Sequence, residues 1–352
     1  MKPPLIIDHT DTKWLLLEKI LDVTTANRAK QEMARQGITP ITNAGSIFRI
    51  LLVAIFFSCD IAYVIDELHR RRDLRSFAHI DRIPSADEVY RFLSEIDEPR
   101  FVALINALLR TLAGTPKRRD RRTILIDGSA ITLDRNVVKK RIRKADLDEK
   151  DYRWGYSTTQ GYYLGFKLTL AIDYPSLVPV AFLIHPGSPH DSRLFSAILT
   201  ELKRRRIIRD GDTVIADKGY YAYENYVRGV TGFKIVPLIF PKKGFNASTL
   251  AARMNYPLSL FSAHEYRRRQ GIYKRCLRDL LRHLGEWEDF RAPRSRIEDI
   301  FKLAKDAFSL RDVHRYSRRS VGKFVAVTVL LVGAVIASGI HEKNEIQSLA
   351  EW

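Results

Sequence analysis

The stretch Thr123-Ile-Leu-Ile-Asp127-Gly128-Ser129 decides the fold. Thr123 to Ile126 is β-branched or apolar at every position, the pattern of a buried strand. The strand delivers one carboxylate, Asp127, beside a glycine. The pattern returns at Thr213-Val-Ile-Ala-Asp217-Lys-Gly219-Tyr-Tyr221. A buried carboxylate is costly unless it is paired or bound to a cation. Asp-Gly is also ordinary turn chemistry, and either aspartate alone reads as a turn. Two of them at the ends of core strands point to a metal site.

The rest of the chain bounds what such a site serves. With 352 residues and 45% hydrophobic content, it is long enough for two or three globular domains. Lys and Arg number 59 against 41 Asp and Glu, a net charge of +18. That excess favours a polyanionic partner, nucleic acid before an acidic membrane surface. The two cysteines, Cys59 and Cys276, have no C-x-x-C spacing. This argues against a disulfide framework and a zinc–cysteine site, and fits a reducing cytosol. Met1-Lys-Pro-Pro-Leu leads to Asp8 and Asp11 without a long apolar segment, so no signal peptide is expected.

Upstream of Thr123, residues 1–115 read as an all-helical N-terminal domain for DNA-end binding or dimerisation. Its apolar segments are Trp14 to Leu21, Ile47 to Ile65 and Phe101 to Leu112, broken at Gly37, Pro40, Pro84 and Pro99. Ser85 and Glu88 have capping-box spacing. The run Lys117 to Arg122 marks the domain boundary, as a solvated linker or a phosphate contact.

Downstream, Tyr162 to Ile172 and Val178 to Ile184 read as a hairpin closed by Asp173-Tyr-Pro-Ser176, which makes Asp173 a turn residue. Ser188-Pro-His-Asp191 reads as a helix start, with Ser188 as N-cap, Pro189 at N1 and Asp191 at N3. His190 and Asp191 look like a catalytic pair, but the cap accounts for both Ser and Asp. Phe233 to Phe240 is a fifth strand. Residues 241–290 read as a basic helical insertion. Arg267, Arg268, Arg269, Lys274, Arg275, Arg278 and Arg282, with Tyr266 and Tyr273 between them, suggest a DNA track. Ile297, Ile300, Phe301, Ala304 and Phe308 form a helical apolar stripe. The run from about 320 to 340 approaches the roughly 20 residues of a membrane span. Lys323, Thr328 and Ser338 make a buried helix the better reading.

Three strands, a helix, a strand, helical material, a strand and a late helix make the order of an RNase H-like core. The expected fold is α/β: a mixed five-stranded sheet with flanking helices over residues 116–352, behind the helical domain.

At these residues the chain resembles the DDE transposases of bacterial and archaeal insertion sequences. The resemblance rests on Ile126 to Ser129, Gly161 to Lys167 with Gly187 to Asp191, Ala216 to Tyr220, and Arg294, Glu298 and Lys305. The last three match a Tyr-Arg-Glu-Lys signature whose Tyr position is held here by Arg291. The resemblance implies Asp127, Asp217 and Glu298 as catalytic and metal-binding acids. It implies two Mg²⁺ ions, with Mn²⁺ as a substitute, and in-line attack on a phosphodiester. DNA contacts are expected from Arg294, Lys305, Lys218, Arg267, Arg268 and Arg269. The implied activity is cleavage at element ends followed by strand transfer into target DNA. The implied partners are terminal inverted repeats, target DNA and a second copy in a homodimer, in the cytoplasm on the nucleoid and without a membrane. Two alternatives stand beside this reading. One is an RNase H-like nuclease without strand transfer; the other is an inactive, transposase-derived DNA-binding protein.

The charge clusters at Lys117–Arg122, Lys203–Arg206 and Arg267–Arg282 generate one expectation. The logarithm of the DNA-binding constant falls linearly with log salt, losing about 10³-fold or more between about 50 and 200 mM. Fluorescence anisotropy across that range measures the slope, and a flat response would contradict an electrostatic interface.

Overall fold

A computed structural model describes residues 5–23, 26–38, 44–114, 121–133, 153–157, 161–259, 263–313 and 318–351. The chain forms two compact units. One combines Met1–Ala113 with the C-terminal segment from Ile300, and the other is built from Gly114–Ile131 and Tyr152–Asp299.

The N-terminal region is helical: α1 Thr12–Val23, α2 Ala26–Arg35, α3 Ala44–Phe56, α4 Ile61–Arg70, α5 Arg72–Phe77, α6 Ala86–Glu95 and α7 Glu98–Leu112. The apolar segment Ile47 to Ile65 is two helices, not one. Ser58 is left-handed at φ 50°, and α3 and α4 meet at 109°. Pro99 does not break a helix. It lies in the first turn of α7, behind the N-cap Asp97, whose carboxylate accepts the Arg100 N–H at 2.8 Å. A first-turn residue needs no intrahelical N–H partner, so proline is tolerated there. The capping box at α6 forms: Ser85 Oγ accepts the Glu88 N–H at 3.1 Å, and Glu88 Oε2 accepts the Ser85 N–H at 2.7 Å.

The sheet contains β1 Thr123–Leu133, β2 Arg153–Ser157, β3 Gly161–Tyr174, β4 Pro179–Pro186, β5 Thr213–Ala216, β6 Val236–Ile239 and the short β7 Asp312–Val313. Its core order is β4-β3-β1-β5-β6. The first and fourth core strands, β1 and β5, are parallel neighbours, as an RNase H-like fold requires. Two strands go beyond the expected five: β2 pairs with the start of β3, and β7 with the end of β1. β3 and β4 form the expected antiparallel hairpin. At its turn, Asp173 accepts the Ser176 hydroxyl at 2.7 Å and pairs with Arg122 at 2.5 Å, a structural role.

The remaining helices are α8 Asp191–Arg204, α9 Tyr223–Arg228, α10 Ala247–Ser259, α11 Ala263–Gly285, α12 Arg291–Lys302, α13 Arg318–Ala337 and α14 Lys343–Ala350. The segment 241–290 contains α10 and α11 among its described residues. α13 packs on α7, α3 and α1 in the first unit. It is long and apolar enough to cross a membrane, but most of it is buried. Its Lys323 is buried too, and Nζ donates to the carbonyls of Leu93 and Ile96 at the end of α6. Burial, then the nearby charge of Arg319, pushes this amine below its usual pKa.

The α6 cap yields a stability test. Ser85→Ala is expected to cost about 1 kcal/mol, the usual cost of losing an N-cap side chain. Urea unfolding measures it, and an unchanged midpoint would mean that the box contributes nothing.

Candidate active site

β1 runs unbroken through Asp127 and Gly128 to Leu133, and Gly128 does not have a positive φ. Asp127-Gly128 is therefore strand, not turn. β5 ends at Ala216, which pairs with Ile126. The chain then enters a single 3₁₀ turn, Lys218–Tyr220, with Asp217 at its N-cap. The parallel register thus places Asp127 and Asp217 at the same level, where β5 leaves the sheet. Ile124, Leu125, Ile126, Val214, Ile215 and Ala216 are all buried, so the pair is covered on both faces of the sheet, as parallel strands are.

Glu298 comes from α12, and Arg294 one turn earlier joins the three acids. Its Nη2 donates to Asp127 Oδ2 at 2.7 Å and lies 3.9 Å from Asp217 Oδ2. Its Nη1 donates to Glu298 Oε1. Side-chain exposure rises from 14% at Arg294 and 16% at Asp127 to 35% at Asp217 and 60% at Glu298. The site is thus closed at Asp127 and open at Glu298. Burial pushes the Asp127 carboxyl up to about 7, although Arg294 and the Gly128 N–H pull it down. Burial also opposes the charge on Arg294, yet Asp127, Asp217 and Glu298 hold its pKa above the ordinary value.

Among the described residues, no three His, Cys, Asp or Glu side chains are gathered closely enough to hold one ion as they stand. Arg294 stands between the acids instead. The donor chemistry still fits a hard divalent cation: three carboxylates, all oxygen. A positive charge already occupies their common ground, in the form of a guanidinium.

Two further residues frame the site that sequence reasoning did not assign. Lys167 on β3 is buried; its Nζ meets Asp191 Oδ1 at 2.7 Å and donates to the Pro189 carbonyl at 3.2 Å. The sequence places Asp191 at N3 of a helix capped by Ser188; in the structure α8 begins at Asp191, and the N-cap is His190, whose Nδ1 accepts the Ser192 N–H at 3.2 Å. Ser188 is engaged elsewhere: its hydroxyl donates to the Tyr156 carbonyl of β2 at 3.1 Å. Nothing near Ser188 in sequence indicated β2. Lys167 and Asp191 each close a motif that carries the family resemblance, and Asp191 also stands beside His190 as an apparent catalytic pair that the cap reading sets aside. Tyr220 is fully buried beside them. Burial, then the charges of Asp191 and Asp127, raises its phenol well above the ordinary pKa.

The expected DNA contacts divide. Lys218 is exposed. Lys305 does not continue the α-helical stripe of Arg294 and Glu298. α12 gives way to a π turn at Leu303–Ala307, which breaks the 100° phase. Lys305 is half-buried there, and burial, then Arg311, lowers its amine pKa. The side chains of Arg267, Arg268 and Arg269 lie outside the described residues. Farther along α11, Lys274, Arg275, Arg278 and Arg282 are exposed, while Tyr273 is buried and donates to the Thr231 carbonyl at 3.2 Å. Tyr273 is therefore not part of a stacking track. Arg122 is also buried, on Asp173. Lys203 pairs with Asp210, and Arg204 and Arg205 pair with Glu201. These partners neutralise most of the Lys203–Arg206 cluster and the last residue of the Lys117–Arg122 run, whose first four residues lie outside the described ones.

The architecture defines an α/β protein of the RNase H-like class with acids on adjacent parallel strands. The chain matches the transposase DDE domain family over residues 118–332, more than half its length, and belongs to that family. Membership makes it a transposase-type protein. No curated protein matches it.

Removing the central cation should separate the buried pair from the exposed one. Arg294→Ala, measured by urea unfolding without divalent ions, is expected to lose on the order of 3 kcal/mol by stranding Asp127. Glu298→Ala should lose no more than about 0.5 kcal/mol, the scale of an exposed i,i+4 pair. Equal losses would contradict the assignment of the Arg294–Asp127 contact as the dominant one.

Proposed function

We propose that this transposase cuts DNA at the ends of an insertion element and joins the freed 3′-OH to target DNA. The observation that carries the reading is the convergence of Asp127, Asp217 and Glu298, remote in sequence, on one guanidinium. Asp127 and Asp217, on parallel strands, would hold the cations from the sheet side, and Glu298 would hold them from α12. Two Mg²⁺ ions, or Mn²⁺ in their place, would supply Lewis-acid activation of the attacking oxygen and stabilise the leaving oxygen.

Charge bookkeeping assigns the rest. Three carboxylates cannot serve Arg294 and two divalent ions equally, so Arg294 turns away and becomes available to a DNA phosphate. Lys218, exposed beside Asp217, meets the backbone on the same side. The basic face of α11 extends the contact, and Lys305 is a separate DNA contact of the first unit. The Arg294, Glu298 and Lys305 spacing supports a place in the Tyr-Arg-Glu-Lys group, with Arg291 at the tyrosine position. Arg291 lies 4.5 Å from the Trp287 ring centroid and 3.5 Å from Glu288, so it has no phenol to offer substrate. The partners in this reading are terminal inverted repeats, target DNA and a second copy in a homodimer, on the nucleoid in the cytoplasm.

The test is cleavage of a DNA duplex carrying the element end, with Mg²⁺ present. Asp127→Ala, Asp217→Ala and Glu298→Ala should each abolish product while retaining DNA binding. Strong residual cleavage by any of the three would remove that residue from the site. Cleavage by the parent without joined product, at every target tried, would favour a nuclease that lacks strand transfer.

A further inference from the structure

Asp191 lies against the segment that follows each of the two aspartates, the strand after Asp127 and the 3₁₀ turn after Asp217. A Cβ built on Gly128 would lie 2.8 Å from Asp191 Oδ1 and 2.7 Å from Lys167 Cε. A Cβ built on Gly219 would lie 3.0 Å from Asp191 Oδ2. One carboxylate therefore bears on both segments, with one oxygen toward each. Gly128 directly follows Asp127, and Gly219 lies two residues after Asp217. Neither glycine needs a left-handed backbone, since neither has a positive φ. Their missing side chains serve to admit Asp191.

The carboxylate is fixed from behind. Asp191 is the first residue of a fourteen-residue helix, where the dipole favours an anion. Lys167 clamps it at 2.7 Å and takes the Pro189 carbonyl as well, so one ammonium ties β3 to the start of α8. Lys167 is 8% exposed, and a buried ammonium of this kind must keep its partner. Neither residue has a role in the reaction described above.

We propose that Asp191, held by Lys167, is a positioning residue. It is a wedge that sets the separation of Asp127 and Asp217, and thereby the spacing at which they hold divalent cations. This rests on the reading of those aspartates as cation ligands. Asp191 acts through them and is not itself assigned as a ligand.

The test is Mn²⁺ binding to the full-length protein without DNA, followed by electron paramagnetic resonance, with melting temperature measured alongside. Three proteins are compared: the parent, Asp191→Ala and the double variant Lys167→Met/Asp191→Leu. The double variant removes both charges and leaves no stranded ammonium. The expected result is a melting temperature near the parental value for the double variant, with half-saturating Mn²⁺ raised about tenfold or more in both variants. Parental Mn²⁺ affinity, within twofold, in a folded double variant would overturn the proposal and leave a plain structural ion pair. If Asp191→Ala fails to fold, the double variant alone decides. A parent that shows no saturable Mn²⁺ binding would overturn the cation-site reading itself, and this inference with it.

Discussion

One guanidinium makes the centre of this molecule possible. Three carboxylates on two strands and a helix repel one another wherever water is thin. At an effective dielectric of about 20, two like charges 4 Å apart cost about 4 kcal/mol. Arg294 turns that repulsion into attraction by standing among Asp127, Asp217 and Glu298. The same arithmetic makes the place attractive to other cations. In the proposed reaction, divalent ions take the place of that one positive charge.

The scaffold supplies position, not charge. β1 and β5 are parallel and in register from Thr123–Thr213 to Ile126–Ala216, so the next residue on each is an aspartate at the same height. Their apolar positions are buried on both faces, so the strand pair that carries the aspartates lies in the core. Behind it, Lys167 and Asp191 fill the space left by two glycines, tying β3 and the start of α8 to the same corner.

Much of this was legible in the residues themselves. The β-branched runs leading to Asp127 and Asp217, the order of the five core strands and the apolar stripe of α12 as far as Phe301 all rest on local periodicity, and the structure keeps them. What was not legible depended on distant partners. Ser188 has every local mark of an N-cap, but a carbonyl on β2 takes its hydroxyl and the helix starts three residues later. Arg122 belongs to a basic run that reads as solvated, yet Asp173 draws it into the core. Lys203, Arg204 and Arg205 read as a phosphate patch until Asp210 and Glu201 are placed beside them. Lys305 has the right spacing for a stripe, but a π turn alters the phase, and no residue type announces a π turn. Charge patterns are the least local of sequence signals, because a charge is defined by what lies across from it.

The central claim is that Arg294 holds the place of catalytic cations. Its most direct measurement is anomalous diffraction from crystals grown with Mn²⁺. The account predicts manganese density bounded by Asp127, Asp217 and Glu298, with the Arg294 side chain swung out of its contact with Asp127. No manganese at these acids, with Arg294 still on Asp127 at saturating Mn²⁺, would contradict it.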